Sequence, residues 1–319
     1  EVYIFVDNEP IPVASNGTFE FTKFTPKKNT TYKVKAMDSN GNDLEKTVRV
    51  EIKGTIIVKK IPKLDPTKIK NINRGNVVAL VIGIENYQEA PKTIYAKNDA
   101  EYFAEYARLA FGASRDNIKI LTDKDATRNK ILKTLKNWMP TRITKNETEV
   151  IVFFAGHGLP SPDGKKLYLL PQNGDQSILE DSAISKSDLF SMINQHNPKS
   201  VKVFLDACYS GESRQGEQLI ASRGIKVTAS NDVPDNFTVF SASQSTEVSL
   251  SFDGAKHGIF SYYLMRGLEG EADKNKNREI TNGELLAYIQ KAVNIKATEL
   301  GRTQVPSLAG KKENILNRY

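Results

Sequence analysis

Apolar and polar residues follow two different periods along this chain, and the change between them falls near residue 76. Over residues 1–54 they alternate in the short runs VYIFV, TFEFTKF, TYKVKAM and KTVRVEI. Turn-forming stretches separate these runs: Asp7-Asn8-Glu9-Pro10, Ser15-Asn16-Gly17 and Asp38-Ser39-Asn40-Gly41-Asn42. Alternation gives each strand one apolar and one polar face, so residues 1–55 are predicted to form a small antiparallel β-sandwich. Beyond residue 76 the apolar runs are short and do not alternate, which is the mark of strands buried on both faces. Strands are predicted at 77–84, 118–121, 149–155, 201–206 and 237–241, with a hairpin at 166–170. Helices are predicted at 98–109, 127–138, 185–194, 258–268 and 281–295. Interleaved helices and strands of this kind imply an α/β domain with a mostly parallel central sheet and helices on both faces. The expected organisation is a sandwich at 1–55, a Lys-rich linker at 56–76 and a catalytic-type domain at 77–319. The last divides into 77–210, an irregular loop at 211–235, and 236–319.

At 319 residues the chain has room for two domains, and 39% apolar with 26% charged residues is ordinary for a soluble globular protein. No apolar stretch reaches the roughly 18 residues a spanning helix needs. The chain opens at Glu1 inside a predicted strand, so an upstream signal peptide or anchor is expected, and an exported or cell-surface location is favoured over a cytoplasmic one. The net charge is +7, but residues 1–55 sum to zero and residues 56–76 alone carry +5. A solvated basic linker accounts for that better than a nucleic-acid partner, which would show a basic stripe with interleaved aromatics on a folded face. Residues 1–55 resemble, in pattern only, the bacterial immunoglobulin-like modules that precede catalytic domains in exported proteins. They lack the cysteine pair and buried tryptophan of antibody domains.

Two of the predicted buried strands end on chemistry. The run 150–158, VIVFFAGHG, contains His157, and the run 201–211, VKVFLDACYSG, contains Cys208. The carboxyl ends of parallel strands are where α/β proteins build their sites. Cys208 is the only cysteine, so it forms no internal disulfide and belongs to no cysteine-rich metal site. A thiol made thiolate by an imidazole, beside glycines whose backbone N–H groups can approach a carbonyl, is the apparatus of a cysteine peptidase. His196 and His257 stand before a strand and before a helix, and are read as structural or surface residues.

Gly156-His157-Gly158, Asp206-Ala207-Cys208-Tyr209-Ser210-Gly211 and the 51-residue separation of His157 from Cys208 resemble the caspase-like peptidases, in which the histidine lies about 50 residues upstream of the cysteine. The resemblance covers roughly residues 76–315. It takes in Lys97-Asn98-Asp99-Ala100, Gly258-Ile259-Phe260 and Gln304-Val305-Pro306. Caspases read Gln-Ala-Cys at the nucleophile where this chain reads Asp206-Ala207-Cys208, and here the pattern is similar to metacaspases and bacterial orthocaspases. That similarity implies a first specificity pocket lined by Asp99 and Asp206, and cleavage of protein or peptide substrates after Arg or Lys. A partly buried carboxylate pair would meet a guanidinium with charge-assisted bonds and would repel an aspartate. In cysteine-peptidase chemistry Cys208 attacks, His157 shuttles the proton, and the N–H groups of Gly158 and Cys208 hold the oxyanion. The resemblance further implies that Ser241, Ala242 and Ser243 pair with the substrate backbone.

An enzyme preferring basic residues carries its own targets in the Gly- and Ser-rich loop 211–235. Self-cleavage after Arg223 or Lys226 is therefore expected. No cofactor is required by this chemistry, but calcium is a candidate ligand. Asp273, Asn275, Asn277, Glu279, Thr281 and Glu284 fall at positions 1, 3, 5, 7, 9 and 12 of an EF-hand-type loop. Against it, Arg278 replaces the usual glycine at position 6. Two readings from other classes stay open on the sequence: a catalytically inactive caspase-like scaffold, and a surface interaction module in which residues 1–55 do the binding.

Overall fold

In the computed structural model, which describes residues 2–7, 9–14, 16–21, 29–39, 41–51, 61–70, 75–208, 233–243 and 249–319, the alternating N-terminal runs form four strands. These are β1 (Val2–Val6), β2 (Glu9–Ile11), β3 (Thr30–Asp38) and β4 (Asp43–Val50), paired antiparallel in the order β2-β1-β3-β4. Ile4 and Val6 are buried, whereas β4 is exposed almost throughout. Among the described residues these strands form one sheet, and part of the run TFEFTKF lies outside them. On β4, Asp43, Glu45, Lys46 and Arg49 fall on both faces and leave no continuous apolar side. Ion pairs across strands, Lys33 to Glu45 at 3.0 Å and Lys35 to Asp43 at 2.8 Å, link it to β3 instead.

Glu1–Lys60 and Ile61–Tyr319 form separate compact units. The second begins its sheet with β5 (Val77–Gly83), α1 (Ala96–Leu109), β6 (Ile118–Thr122), α2 (Arg128–Lys133), β7 (Glu149–Pro160) and β8 (Leu167–Leu169). It continues through α3 (Leu179–Ser182), β9 (Ile184–Ser185), α4 (Lys186–Asn194), β10 (Ser200–Cys208), β11 (Phe237–Ser241), β12 (Ser251–Phe252) and β13 (His257–Gly258). The chain ends with α5 (Ile259–Arg266), β14 (Glu279–Thr281), α6 (Asn282–Glu299), β15 (Ser307–Ala309) and β16 (Ile315–Arg318). The main sheet runs β15-β11-β10-β7-β5-β6, parallel except for β15. Ile151 and Phe153 of β7 and Phe204 of β10 pack against α1, α5 and α6, while Val150, Val152 and Val203 face α2 and α4. Both faces of the central strands are thus buried, which is why their sequences do not alternate. Phe153 stacks on Phe103 of α1 at 4.3 Å, pinning that helix over the sheet. Among the described residues no helix is long and apolar enough to cross a membrane.

The Lys-rich stretch 56–76 is not uniformly solvated. Ile61, Leu64 and Ile69 pack on the core beneath α1 and α5. The Tyr262 hydroxyl donates to the Pro62 carbonyl at 2.7 Å, and Glu269 accepts from the Asp65 amide at 2.7 Å and from Lys68 at 3.1 Å. Glu269 is buried, and also accepts from Arg266 and from the Tyr106 hydroxyl, each at 2.6 Å. Burial, then the bond to Glu269, hold the Tyr106 phenol well above its usual pKa. A buried carboxylate with this many donors fixes residues 61–70 to the second unit.

Candidate active site

β7 and β10 are neighbours in the sheet, and their register pairs Cys208 with His157. Both residues therefore stand at the same level, at the carboxyl ends of adjacent parallel strands. Alternation from Phe153 and Ala155 on β7, and from Phe204 on β10, carries His157 and Asp206 to the sheet face covered by α1 and α5. His157 is 1% exposed. Its Nε2 lies 2.8 Å from the Pro91 carbonyl and 3.2 Å from Thr93 Oγ1. A carbonyl oxygen can only accept, so Nε2 carries the proton and the imidazole lone pair is on Nδ1. The Tyr87 ring lies against the imidazole at 4.6 Å, and its hydroxyl accepts the His157 backbone N–H at 2.7 Å. Gly156 permits this approach, since a Cβ there would stand 2.5 Å from the Tyr87 hydroxyl. Asp123 anchors the start of the loop bearing Tyr87, Pro91 and Thr93 by accepting the amides of Glu85 and Asn86, each at 2.9 Å.

Gly158 pairs with Leu169 of β8. Leu170 N–H bonds to the His157 carbonyl and Ser161 N–H to the Lys166 carbonyl. Antiparallel bonding alternates, so the Gly158 amide points away from β8 and toward the β10 side. That is the side of the β7–β10 ladder, which the pairing of Cys208 with His157 carries to the ends of both strands.

Asp99 and Asp206 are both wholly buried, more so than the partly buried pair expected from sequence. Each is held by the start of α5. Asp206 accepts from the Ser249 hydroxyl, from Ser261 Oγ at 2.5 Å and from Ser261 N–H at 3.2 Å. Asp99 lies 2.8 Å from His257 Nδ1 and accepts the Gly258 amide at 3.0 Å. Two anions at one helix N-terminus are stabilised by its unpaired N–H groups and its dipole. The structure thus brings both predicted acids to one helix end and adds Ser249, His257 and Ser261, which sequence reading missed. His257 carried a signal that could have been used, since it adjoins the Gly258-Ile259-Phe260 motif.

Other predicted positions differ. Ser241 is locked between Leu205 of β10 and Ser307 of β15. Ala242 donates its N–H to the Leu205 carbonyl at 2.8 Å, and its carbonyl accepts from Gln304 Nε2 at 3.0 Å. Ser243 is buried, with its hydroxyl directed to the Ala207 carbonyl. The main-chain groups of Ala242 are therefore occupied inside the protein. Gln304, from the predicted Gln304-Val305-Pro306 motif, also accepts the Leu250 amide at 3.0 Å and so ties Leu250 to Ala242. In the EF-hand-like loop the acids serve the backbone. Asp273 accepts the amides of Lys276 and Arg278, Asn275 and Asn277 cap turns, and Glu279 pairs with Arg318. Glu284, the position-12 residue, closes the Thr281 capping box of α6. Among the described residues no group of three acidic, histidine or cysteine side chains is placed to hold a metal. Arg223 and Lys226 lie outside the described residues, as does the side chain of Cys208.

The family model described as the caspase domain matches residues 76–313. Among solved structures, protein GSU0716 from Geobacter sulfurreducens is 18% identical, with a TM-score of 0.51 over 75% of this chain and 97% of that one. The structure of pro-sf-caspase-1 is 12% identical, also with a TM-score of 0.51, over 82% of this chain and 100% of that one. At such identities these two likenesses speak for the fold alone. No curated protein matches the chain.

Proposed function

The chain belongs to the caspase-domain family, and on that premise we propose that it is a metacaspase-like cysteine endopeptidase that cleaves after Arg or Lys. The observation carrying this reading is the pairing of Cys208 with His157 at adjacent strand ends, with Nε2 of His157 committed to a carbonyl. With Nε2 protonated, Nδ1 accepts the Cys208 proton, and the thiolate adds to the scissile carbonyl. The amides of Gly158 and Cys208 face the neighbouring strand within the β7–β10 ladder and would have to leave it to meet the oxyanion as it forms. The imidazolium then gives its proton to the leaving amine, and water releases the acyl group. Pro91 and Thr93 act as positioning residues that keep the ring in one tautomer.

The Arg/Lys preference rests on Asp99 and Asp206, two buried anions in a region otherwise built from serines, a histidine and apolar side chains. A basic side chain supplies the counter-charge such a pair favours, whereas an acidic one adds like charge. Hydrolysis of fluorogenic peptides ending in Arg, Lys, Asp or Asn, with and without calcium, tests the whole reading. Arg and Lys peptides should exceed Asp peptides by at least about a hundredfold in kcat/KM. Turnover of Asp or Asn peptides instead would reassign the pocket, and folded protein inert toward all four would leave a caspase-fold scaffold.

The same preference, with Arg223 and Lys226 in the Gly- and Ser-rich stretch 211–235, supports self-processing there. Intact-mass measurement of wild type should show fragments ending at Arg or Lys that are absent from Cys208→Ala. A single uncut wild-type species that is already active would refute processing as the trigger.

A further inference from the structure

The main sheet has a free edge at β6, whose only strand partner among the described residues is β5. Between this edge and α2 with the π-helical turn that follows it lies a groove of about 690 Å³. Its floor is Lys119, Ile120 and Leu121, and its wall carries Lys130, Lys133 and Trp138, with Arg142 at the end. Lysines on an edge strand ordinarily serve to repel other strands. Three features set this edge apart. The surface is concave, so an approaching chain would be enclosed on one side by a helix. Its cations outnumber its acids: Asp125 pairs with Lys130 at 2.6 Å, and among the described residues no carboxylate pairs with Lys119, Lys133 or Arg142. Arg142 is also held ready by neutral groups. It lies 4.5 Å over the Trp138 ring and donates to Thr141 Oγ1 at 3.0 Å and to the Trp138 carbonyl at 3.3 Å.

A strand edge along the floor, with Lys119 on that strand and Lys133 and Arg142 across from it, suits a ligand that is itself an extended chain bearing carboxylates. We propose that the groove between β6 and α2 docks an acidic, extended polypeptide segment by strand addition to the β6 edge. Main-chain bonds to β6 would supply affinity, and Lys119, Lys133 and Arg142 would select acidic side chains. This inference is independent of the peptidase reading, since it needs neither His157 nor Cys208.

Trp138 is the only tryptophan in the chain and reports on the groove directly. The full-length protein is titrated with a capped hexapeptide of alternating Glu and Val, which offers no basic residue for cleavage. Saturable change in Trp138 emission is expected, weakening as salt is raised. The double substitution Lys119→Glu with Lys133→Glu should weaken binding by about tenfold or more, since each removes an attraction and adds a repulsion. A peptide alternating Glu and Pro keeps the charge but lacks half the amide donors, and should also bind about tenfold more weakly. Absence of a saturable signal would overturn the proposal. So would equal affinity for the Glu-Pro peptide or for tripolyphosphate, either of which would make the groove a general anion sink. Should the double variant fail to fold by circular dichroism, the comparison of the three ligands on wild type still decides.

Discussion

Cys208→Ala is expected to reduce hydrolysis of Arg and Lys peptides by at least about a hundredfold while the protein stays folded. The nucleophile forms the covalent bond that divides peptide hydrolysis into two easier steps. Without it, His157 and the strand-end amides could act only on water, and an oxyanion site alone recovers a small part of the rate. Removing a single sulfur atom costs about 1 kcal/mol or less in a core, so the melting temperature should shift by only a few degrees. The chain makes the control clean, because a thiol-directed substrate mimic has only one cysteine to label. Labelling should be stoichiometric in wild type, absent in Cys208→Ala, and much slower in His157→Ala at neutral pH, where the thiol loses its base. Residual turnover above about a hundredth of wild type in Cys208→Ala would mean that another group is the nucleophile.

Much of the second unit was readable because its sheet is buried on both sides. A strand that meets helices on each face needs apolar residues at every position, and β5, the core of β7 and β10 advertise that in sequence. Where the reading fell short, the cause was a partner far away in the chain. β7 was expected to stop at residue 155, yet it runs to Pro160 because β8 takes over as its neighbour once β5 has ended. The helix expected at 127–138 is α-helical only to Lys133 and then widens into a π-helical turn over Thr134–Trp138, a change no residue in that stretch announces. The excess of lysines at 56–76 suggested solvent, and hid Ile61, Leu64 and Ile69, whose packing partners belong to α1, α5 and the residues around them. Lys68 finds Glu269 across 201 residues of sequence.

The site shows the same division. The residues proposed to react, His157 and Cys208, stood out by type and position. The groups around them and around the two acids did not, because several are not side chains: the Pro91 carbonyl at His157, the Gly258 amide at Asp99 and the Ser261 amide at Asp206 carry no sequence signature. Ser249 and Ser261 are ordinary residues until α5 brings them to Asp206. Strand-end chemistry is thus partly legible from a chain, whereas the shell around it is a property of how the helices dock.

Asp206→Asn is expected to lower kcat/KM for Arg peptides by about a hundredfold or more, and to leave peptides with a neutral first residue nearly unchanged. The substitution removes one negative charge from a wholly buried position and keeps the shape. Its folding cost should be small because the surrounding donors can adapt. The amide oxygen can accept the Ser261 N–H, which cannot be reversed, while its NH₂ faces the Ser249 hydroxyl, which can turn to accept. What cannot be replaced is the counter-charge for a guanidinium, and breaking a buried charge pair costs about 3 kcal/mol or more. Asp99→Asn should act in the same direction, since Asp99 is the second anion at the start of α5. The opposing view is that both acids serve only to anchor α5, by pairing with its first N–H groups. That view requires equal losses for Arg and neutral peptides, together with a clear fall in melting temperature, because the helix end would lose its anion. A selective loss with little thermal shift assigns Asp206 to substrate recognition, and an equal loss with a large shift removes it from the specificity pocket.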